Sequence, residues 1–91
     1  MGEEHQIVHL VYEAKKNPEA ADRLIDQYMN FIQAETARFT QGVPVQGRED
    51  QLSVAMFAFY EAVRGYERGR GAFLPYAATA IRRRLIDYIR K

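Results

Sequence analysis

The sequence predicts an all-α fold, a compact four-helix domain spanning residues 1–91. Three observations carry that prediction. Apolar residues recur by threes, fours and sevens over long stretches. No stretch alternates with the period of two that a half-buried strand requires. Gly and Pro cluster at a few places between the periodic stretches rather than inside them. Composition agrees with a folded chain: 47% hydrophobic and 12% aromatic residues are too apolar for disorder and sufficient for one small core.

The first helix is expected over 1–16, with Ile7, Leu10, Val11 and Ala14 on one face. Asn17-Pro18 is a start signal, because an Asn side chain accepts from the orphan amides of a helix N-terminus and Pro suits the first helical position. A second helix over 17–40 follows, striped by Leu24, Ile25, Tyr28, Phe31, Ile32 and Phe39. Gly42, Pro44 and Gly47 interrupt the pattern and make Gln41–Glu49 a loop.

A third helix is expected over 50–66, with Asp50 as its cap. It carries Leu52, Val54, Met56, Phe57, Phe59, Tyr60 and Val63, and so is apolar nearly all round. Such a helix is either central to the core or covered in part by a partner. Glu67-Arg68-Gly69-Arg70-Gly71 is a tight turn, and the fourth helix occupies 72–91. That helix is still strongly patterned at Lys91, as in a fragment of a longer protein.

Composition also excludes functions. With no cysteine there is neither a disulfide framework nor a thiolate metal site, which suits a reducing cytoplasm. No apolar run approaches the roughly 20 residues that span a bilayer, and the acidic start Met-Gly-Glu-Glu-His-Gln is unlike a secretory signal. A soluble intracellular domain without membrane contact is expected. The overall charge of +1 conceals a strong asymmetry. Arg64 to Lys91 holds eight basic residues against Glu67 and Asp87, while Met1 to Val63 holds five basic against ten acidic ones. A bipolar chain of this kind turns a basic face towards nucleic acid and keeps an acidic face off it.

The last helix carries the chemistry. Leu74, Ala77, Ala78, Ile81, Leu85, Tyr88 and Ile89 gather on one side and are expected to face the core. The other side holds Tyr76, Thr79, Arg82, Arg83, Arg90 and Lys91, with Phe73 and Arg84 at its edge. Aromatic rings among arginines offer flat surfaces for bases and positive charge for phosphates, the combination that single-stranded nucleic acid needs. Phe73 taken alone admits a second reading, as a cap on the core at the helix entrance.

Other constellations are weaker. His5, His9 and Glu13 share one helix face at metal-ligand spacing, but on a polar helix they read as exposed. Gly69-Arg70-Gly71 lacks the Lys-Ser/Thr of a phosphate loop and reads as a turn. Asp50, Glu49 and Glu61 read as cap and surface, and no nucleophile–base set appears. Neither a cofactor nor an enzymatic activity is expected.

The stretch EDQLSVAMFAFYEAVRGYERGRGAFLPYAATAIRRRLIDYIRK, from Glu49 to Lys91, resembles the second domain of sigma-70 family factors. Ala62-Val63, Tyr66 and Gly71 match the end of that domain's acidic, apolar helix. Phe73, Tyr76-Ala77 and the run from Ile81 to Arg90 match the segment and helix that follow. Leu24 to Tyr28 and on to Phe39 is similar to its first conserved helix. The resemblance covers about three quarters of the chain and is nearest to the sigma-I group of alternative factors.

Several expectations follow from the resemblance. The domain binds RNA polymerase core and melts the promoter −10 element in transcription initiation. The 50–66 helix docks on the clamp coiled coil of the largest polymerase subunit through Asp50, Ser53, Val54, Phe57, Tyr60 and Glu61. Phe73 and Tyr76 stack an unpaired base of the non-template strand. Arg82, Arg83 and Arg84 hold phosphates, with Thr79 and Arg90 on the same face, and Arg83 or Ile86 reads the upstream edge of the element. An anti-sigma factor is a further candidate partner.

Two departures mark an alternative factor rather than a housekeeping one. Thr79-Ala80 stands where housekeeping factors carry a Trp pair, and Ser53-Val54 stands where they carry Gln-Glu. Two other classes of function compete: a stand-alone helical regulator reading duplex DNA, and a protein-interaction module in which Phe73 and Tyr76 are buried and nucleic acid is not bound.

Overall fold

The computed structural model describes residues 2–39 and 48–90, with side chains from 6 to 39 and from 50 to 90. Five helices run in order: α1 (Gly2–Lys16), α2 (Pro18–Gln27), α3 (Met29–Phe39), α4 (Arg48–Gly65) and α5 (Phe73–Arg90). No strand occurs among the described residues. Local chemistry explains the first boundary. Asn17 is extended, and its Oδ1 accepts from the amides of Glu19 at 2.9 Å and Ala20 at 3.4 Å. Lys15 and Lys16 in the last turn of α1 complement its dipole.

The expected second helix is two helices, so five helices rather than four stand among the described residues. Tyr28 leaves helical geometry (φ −106°, ψ 20°) although neither Gly nor Pro stands there. Tertiary packing supplies the reason. The Tyr28 ring stacks on Phe59 at 6.2 Å, and Phe31 meets the same ring edge-on at 6.3 Å. The bend lets α2 lie against α1 and α4 while α3 lies against α4 and α5, which one straight rod cannot do. Two further boundaries shift. The helix expected from Asp50 begins at Arg48, inside the expected loop, and it ends at Gly65 rather than Tyr66. Residues 40–47 and Lys91 lie outside the described residues.

α4 is the centre of the molecule. Gln51, Ala55, Ala58, Phe59, Ala62 and Val63 are buried on it, and α5 packs along it more extensively than any other helix pair. α5 contributes Phe73, Ala77, Ala78, Ile81 and Leu85 to the same core, and α1 closes it with Ile7, Val11 and Ala14. The face expected to be buried on α5 is corrected at its end. Tyr88 and Ile89 are 36% and 42% exposed. There the Tyr88 hydroxyl donates to Asp50 Oδ2 in the first turn of α4 at 3.4 Å.

Candidate nucleic-acid interface

The turn between α4 and α5 builds one wall of a groove. Gly69 and Gly71 hold positive φ values of 98° and 87°, which a residue with a Cβ would adopt only under strain. The Tyr66 hydroxyl donates to the Gly71 carbonyl at 2.7 Å and fixes the exit of the turn. Arg70 is thereby set opposite the first turns of α5. The resulting groove, about 720 Å³, is lined by Arg70, Pro75, Tyr76, Thr79 and Arg83, with Asp87 and the ion-paired Glu61 and Arg84 along one side.

Tyr76 is half-buried, its ring edge-on to Tyr66 at 5.5 Å. The phenol oxygen lies close to α4: a Cβ added at Gly65 would meet it at 3.2 Å. Thr79 is exposed and donates back to the Pro75 carbonyl at 3.1 Å. Arg82, Arg83, Ile86 and Arg90 are exposed on the outer side of α5.

Phe73 does not lie on that face, and the expectation that it stacks a base is corrected. Its ring is 0% exposed and meets Phe59 at 5.6 Å and Tyr66 at 5.2 Å, both nearly perpendicular. As the first residue of α5, Phe73 points into the aromatic cluster beneath the turn. Arg84 also lines the groove but, unlike Arg82 and Arg83, it is paired. Its Nε and Nη2 donate to the two carboxylate oxygens of Glu61 at 2.7 and 2.6 Å. Its guanidinium also lies 5.8 Å from the Phe57 ring centre. The hydrogen bond to Glu61 and then its charge push the Arg84 pKa up against partial desolvation, with a smaller contribution from Asp87. Arg84 is therefore committed to α4, whereas Arg82 and Arg83 have no acidic partner among the described residues.

A second face belongs to α4. Asp50, Ser53, Val54, Phe57, Tyr60 and Glu61 follow one another by steps of one and three and share one flank. Phe57 is 55% exposed, while Val54 and Tyr60 are half-buried. Tyr60 accepts from Arg64 at 3.1 Å and stands under its guanidinium. Between α4 and α5 this flank opens into a shallow cleft of about 330 Å³ lined by Ser53, Val54, Phe57, Arg84, Asp87 and Tyr88.

Among the described residues no three His, Cys, Asp or Glu side chains gather as metal ligands. His9 and Glu13 are exposed, and the His5 side chain lies outside the described ones. Among the described residues no helix is long and apolar enough to cross a membrane. Sequence reasoning counted Arg70 as charge but not as a site residue; the two flanking glycines were the signal that could have found it. Tyr12 and Lys15, which bind the same turn from α1, left no signal, because they sit off the apolar stripe of their helix.

The family model described as sigma-70 region 2 matches residues 24–91. RNA polymerase sigma factor SigI7 of Acetivibrio thermocellus is 38% identical over 77 residues, covering 85% of this chain and 33% of that protein. RNA polymerase sigma factor SigI of Bacillus subtilis is 33% identical, covering 100% of this chain and 37% of its own length. RNA polymerase sigma-D factor of the same organism is 31% identical, covering 97% and 35% respectively. The chain thus spans about a third of the length of these relatives.

Proposed function

The chain belongs to the sigma-70 family, through region 2, and from that premise we propose that it docks on RNA polymerase core and opens the promoter −10 element in transcription initiation. One observation carries the DNA half of the proposal: Tyr76 stands in a groove between Arg70 and Arg83, with Arg82 exposed beside it. A ring at the floor of the groove accepts an unstacked base, and the arginines take the phosphates on either side. A base–aromatic stack contributes roughly 1–3 kcal/mol, enough to favour capture of a base already leaving the duplex. Thr79 and Ala80 supply no aromatic wedge, so opening relies on capture rather than on prising the fork apart. Ile86 and Arg83 face outward one helical turn apart and would meet the upstream edge of the same element.

The polymerase half rests on the α4 flank around Phe57. An exposed ring beside half-buried Val54 and Tyr60, rimmed by Asp50 and Glu61, is the arrangement of an apolar anchor inside a polar rim. The partner is the clamp coiled coil of the largest subunit. When polymerase is absent, an anti-sigma factor would cover the same flank. The proposed domain acts in the bacterial cytoplasm and carries out no reaction of its own.

The test is a titration of the chain against bacterial polymerase core, read by co-elution and by competition with a housekeeping sigma factor. Phe57→Ala is the control, since Phe57 is exposed and its loss leaves the core intact, which a change at fully buried Phe59 would not. Saturable binding that Phe57→Ala weakens supports the proposal. Absence of binding at micromolar concentrations overturns it.

A further inference from the structure

The helix α1 lies outside the residues matched by the family model, yet it holds the turn that forms the groove. The Lys15 ammonium donates to the Tyr66 carbonyl at 2.7 Å, and the Arg68 amide donates to the Tyr12 hydroxyl at 2.7 Å. Both bonds join residues more than fifty positions apart. The Tyr12 ring also carries two cations, Lys15 at 4.9 Å and Arg68 at 5.4 Å from its centre, and meets Tyr66 edge-on at 6.3 Å. From α1 the turn thus receives a donor to its first residue and an acceptor for the amide two residues on.

The consequence reaches Tyr76 through Tyr66. The Tyr66 ring is buried, packs edge-on against both Phe73 and Tyr76, and its hydroxyl holds the Gly71 carbonyl. A shift of the Tyr66 backbone therefore moves the ring on which Tyr76 rests and the turn that presents Arg70. Within the turn itself, a backbone bond from the Arg70 amide to the Glu67 carbonyl at 3.2 Å is long, and the two glycines at positive φ leave the segment conformationally permissive. Fixing such a segment before the ligand arrives removes its ordering cost from binding.

We infer that Tyr12 and Lys15 are positioning residues for base capture: α1 braces the 66–71 turn and sets Tyr76 and Arg70 for an incoming single strand. The inference rests on the base-capture reading above. Its test measures the affinity of the intact chain for a fluorescently labelled single-stranded oligonucleotide. Tyr12→Phe removes the acceptor but keeps the ring, and Lys15→Met removes the donor but keeps the stem. Each is made alone and on a Tyr76→Ala background, with thermal melting as the check on folding.

Each brace variant is expected to weaken binding about two- to tenfold, the range of one net hydrogen bond. The expected signature is non-additivity: on the Tyr76→Ala background the same changes have little further effect. Either variant, if folded, suffices. Wild-type affinity in both, or full additivity with Tyr76→Ala, overturns the inference while leaving base capture standing. Should Tyr76→Ala itself bind as tightly as the unaltered chain, base capture fails, and the brace role falls with it.

Discussion

Replacing Phe73 separates the two roles that this ring could have, and the structure sets the scale. In Phe73→Leu the site stays apolar and nearly filled, but two edge-to-face contacts, with Phe59 at 5.6 Å and Tyr66 at 5.2 Å, disappear. Aromatic pairs of this geometry contribute about 0.5–1.5 kcal/mol each beyond their area, so the loss is about 1–3 kcal/mol. At about 4–8 °C per kcal/mol for a domain of this size, the melting midpoint falls by several degrees to about 20 °C. Phe73→Ala adds a cavity and costs about 3–5 kcal/mol, a large part of the roughly 5–15 kcal/mol that holds a domain together. Circular dichroism gives the midpoints. Fluorescence anisotropy with a labelled single-stranded oligonucleotide, recorded well below the midpoint of the Leu variant, gives the affinities. The expected result is a lower midpoint with unchanged affinity in Phe73→Leu. A Leu variant that melts with the unaltered chain and no longer binds the oligonucleotide would refute the assignment of Phe73 to the core.

The adjacent arginines are expected to separate by salt dependence. Arg83→Ala should lower the slope of log affinity against log salt by about 0.7, the value for one phosphate contact on a single strand. Arg84→Ala should leave that slope unchanged and weaken polymerase docking, because it frees Glu61 and uncovers Phe57; equal slopes lost in both variants would contradict the separation. At alkaline pH, Tyr88 is the group to watch. Desolvation first, and then the charge and hydrogen bond of Asp50, raise its phenol above the ordinary 10.0. A raised pKa means that the folded state favours the protonated phenol. That contribution is complete below pH 10 and is lost as pH rises through the folded value. Tyr88→Phe should therefore show a shallower fall of melting midpoint above pH 10 than the unaltered chain, and parallel curves would exclude the linkage.

Periodicity and local chemistry made much of this fold legible. Asn17-Pro18 marked a real cap, the glycines at 69 and 71 marked a real turn, and Ala77, Ala78, Ile81 and Leu85 pointed inward as their spacing required. What was not legible depends on contacts between distant segments. The break at Tyr28 has no breaker residue, since its cause is Phe59, thirty-one positions away. Phe73 looked like an edge residue of the basic face because a helical projection does not show that a turn folds Tyr66 over it. Arg82, Arg83 and Arg84 are chemically identical in the sequence. Only the position of Glu61 on the neighbouring helix distinguishes the third.

That distinction bears on how one small domain would serve the two partners proposed for it. Successive residues on a helix point about 100° apart, so Arg84 can stand between the groove and the α4 cleft while Arg83 lines only the groove. Arg84 reaches across to Glu61 and Phe57 on α4, and Arg83 turns to the groove with Tyr76. The ion pair itself is half-exposed and contributes little stability on its own. Its effect is on position and charge. By neutralising Arg84, Glu61 leaves the unpaired positive charge with Arg82 and Arg83 of α5 and with Arg70 of the turn, so on the proposed function an acid at the groove's edge would set the direction in which a strand is drawn. Because Ala55, Ala58, Phe59 and Ala62 bury α4 against its neighbours, a partner seated on Phe57 fixes α5 as well. On the proposed function, docking and strand capture would then be properties of one rigid pair of helices, and the arginines would meet the promoter in an orientation that the polymerase has already set.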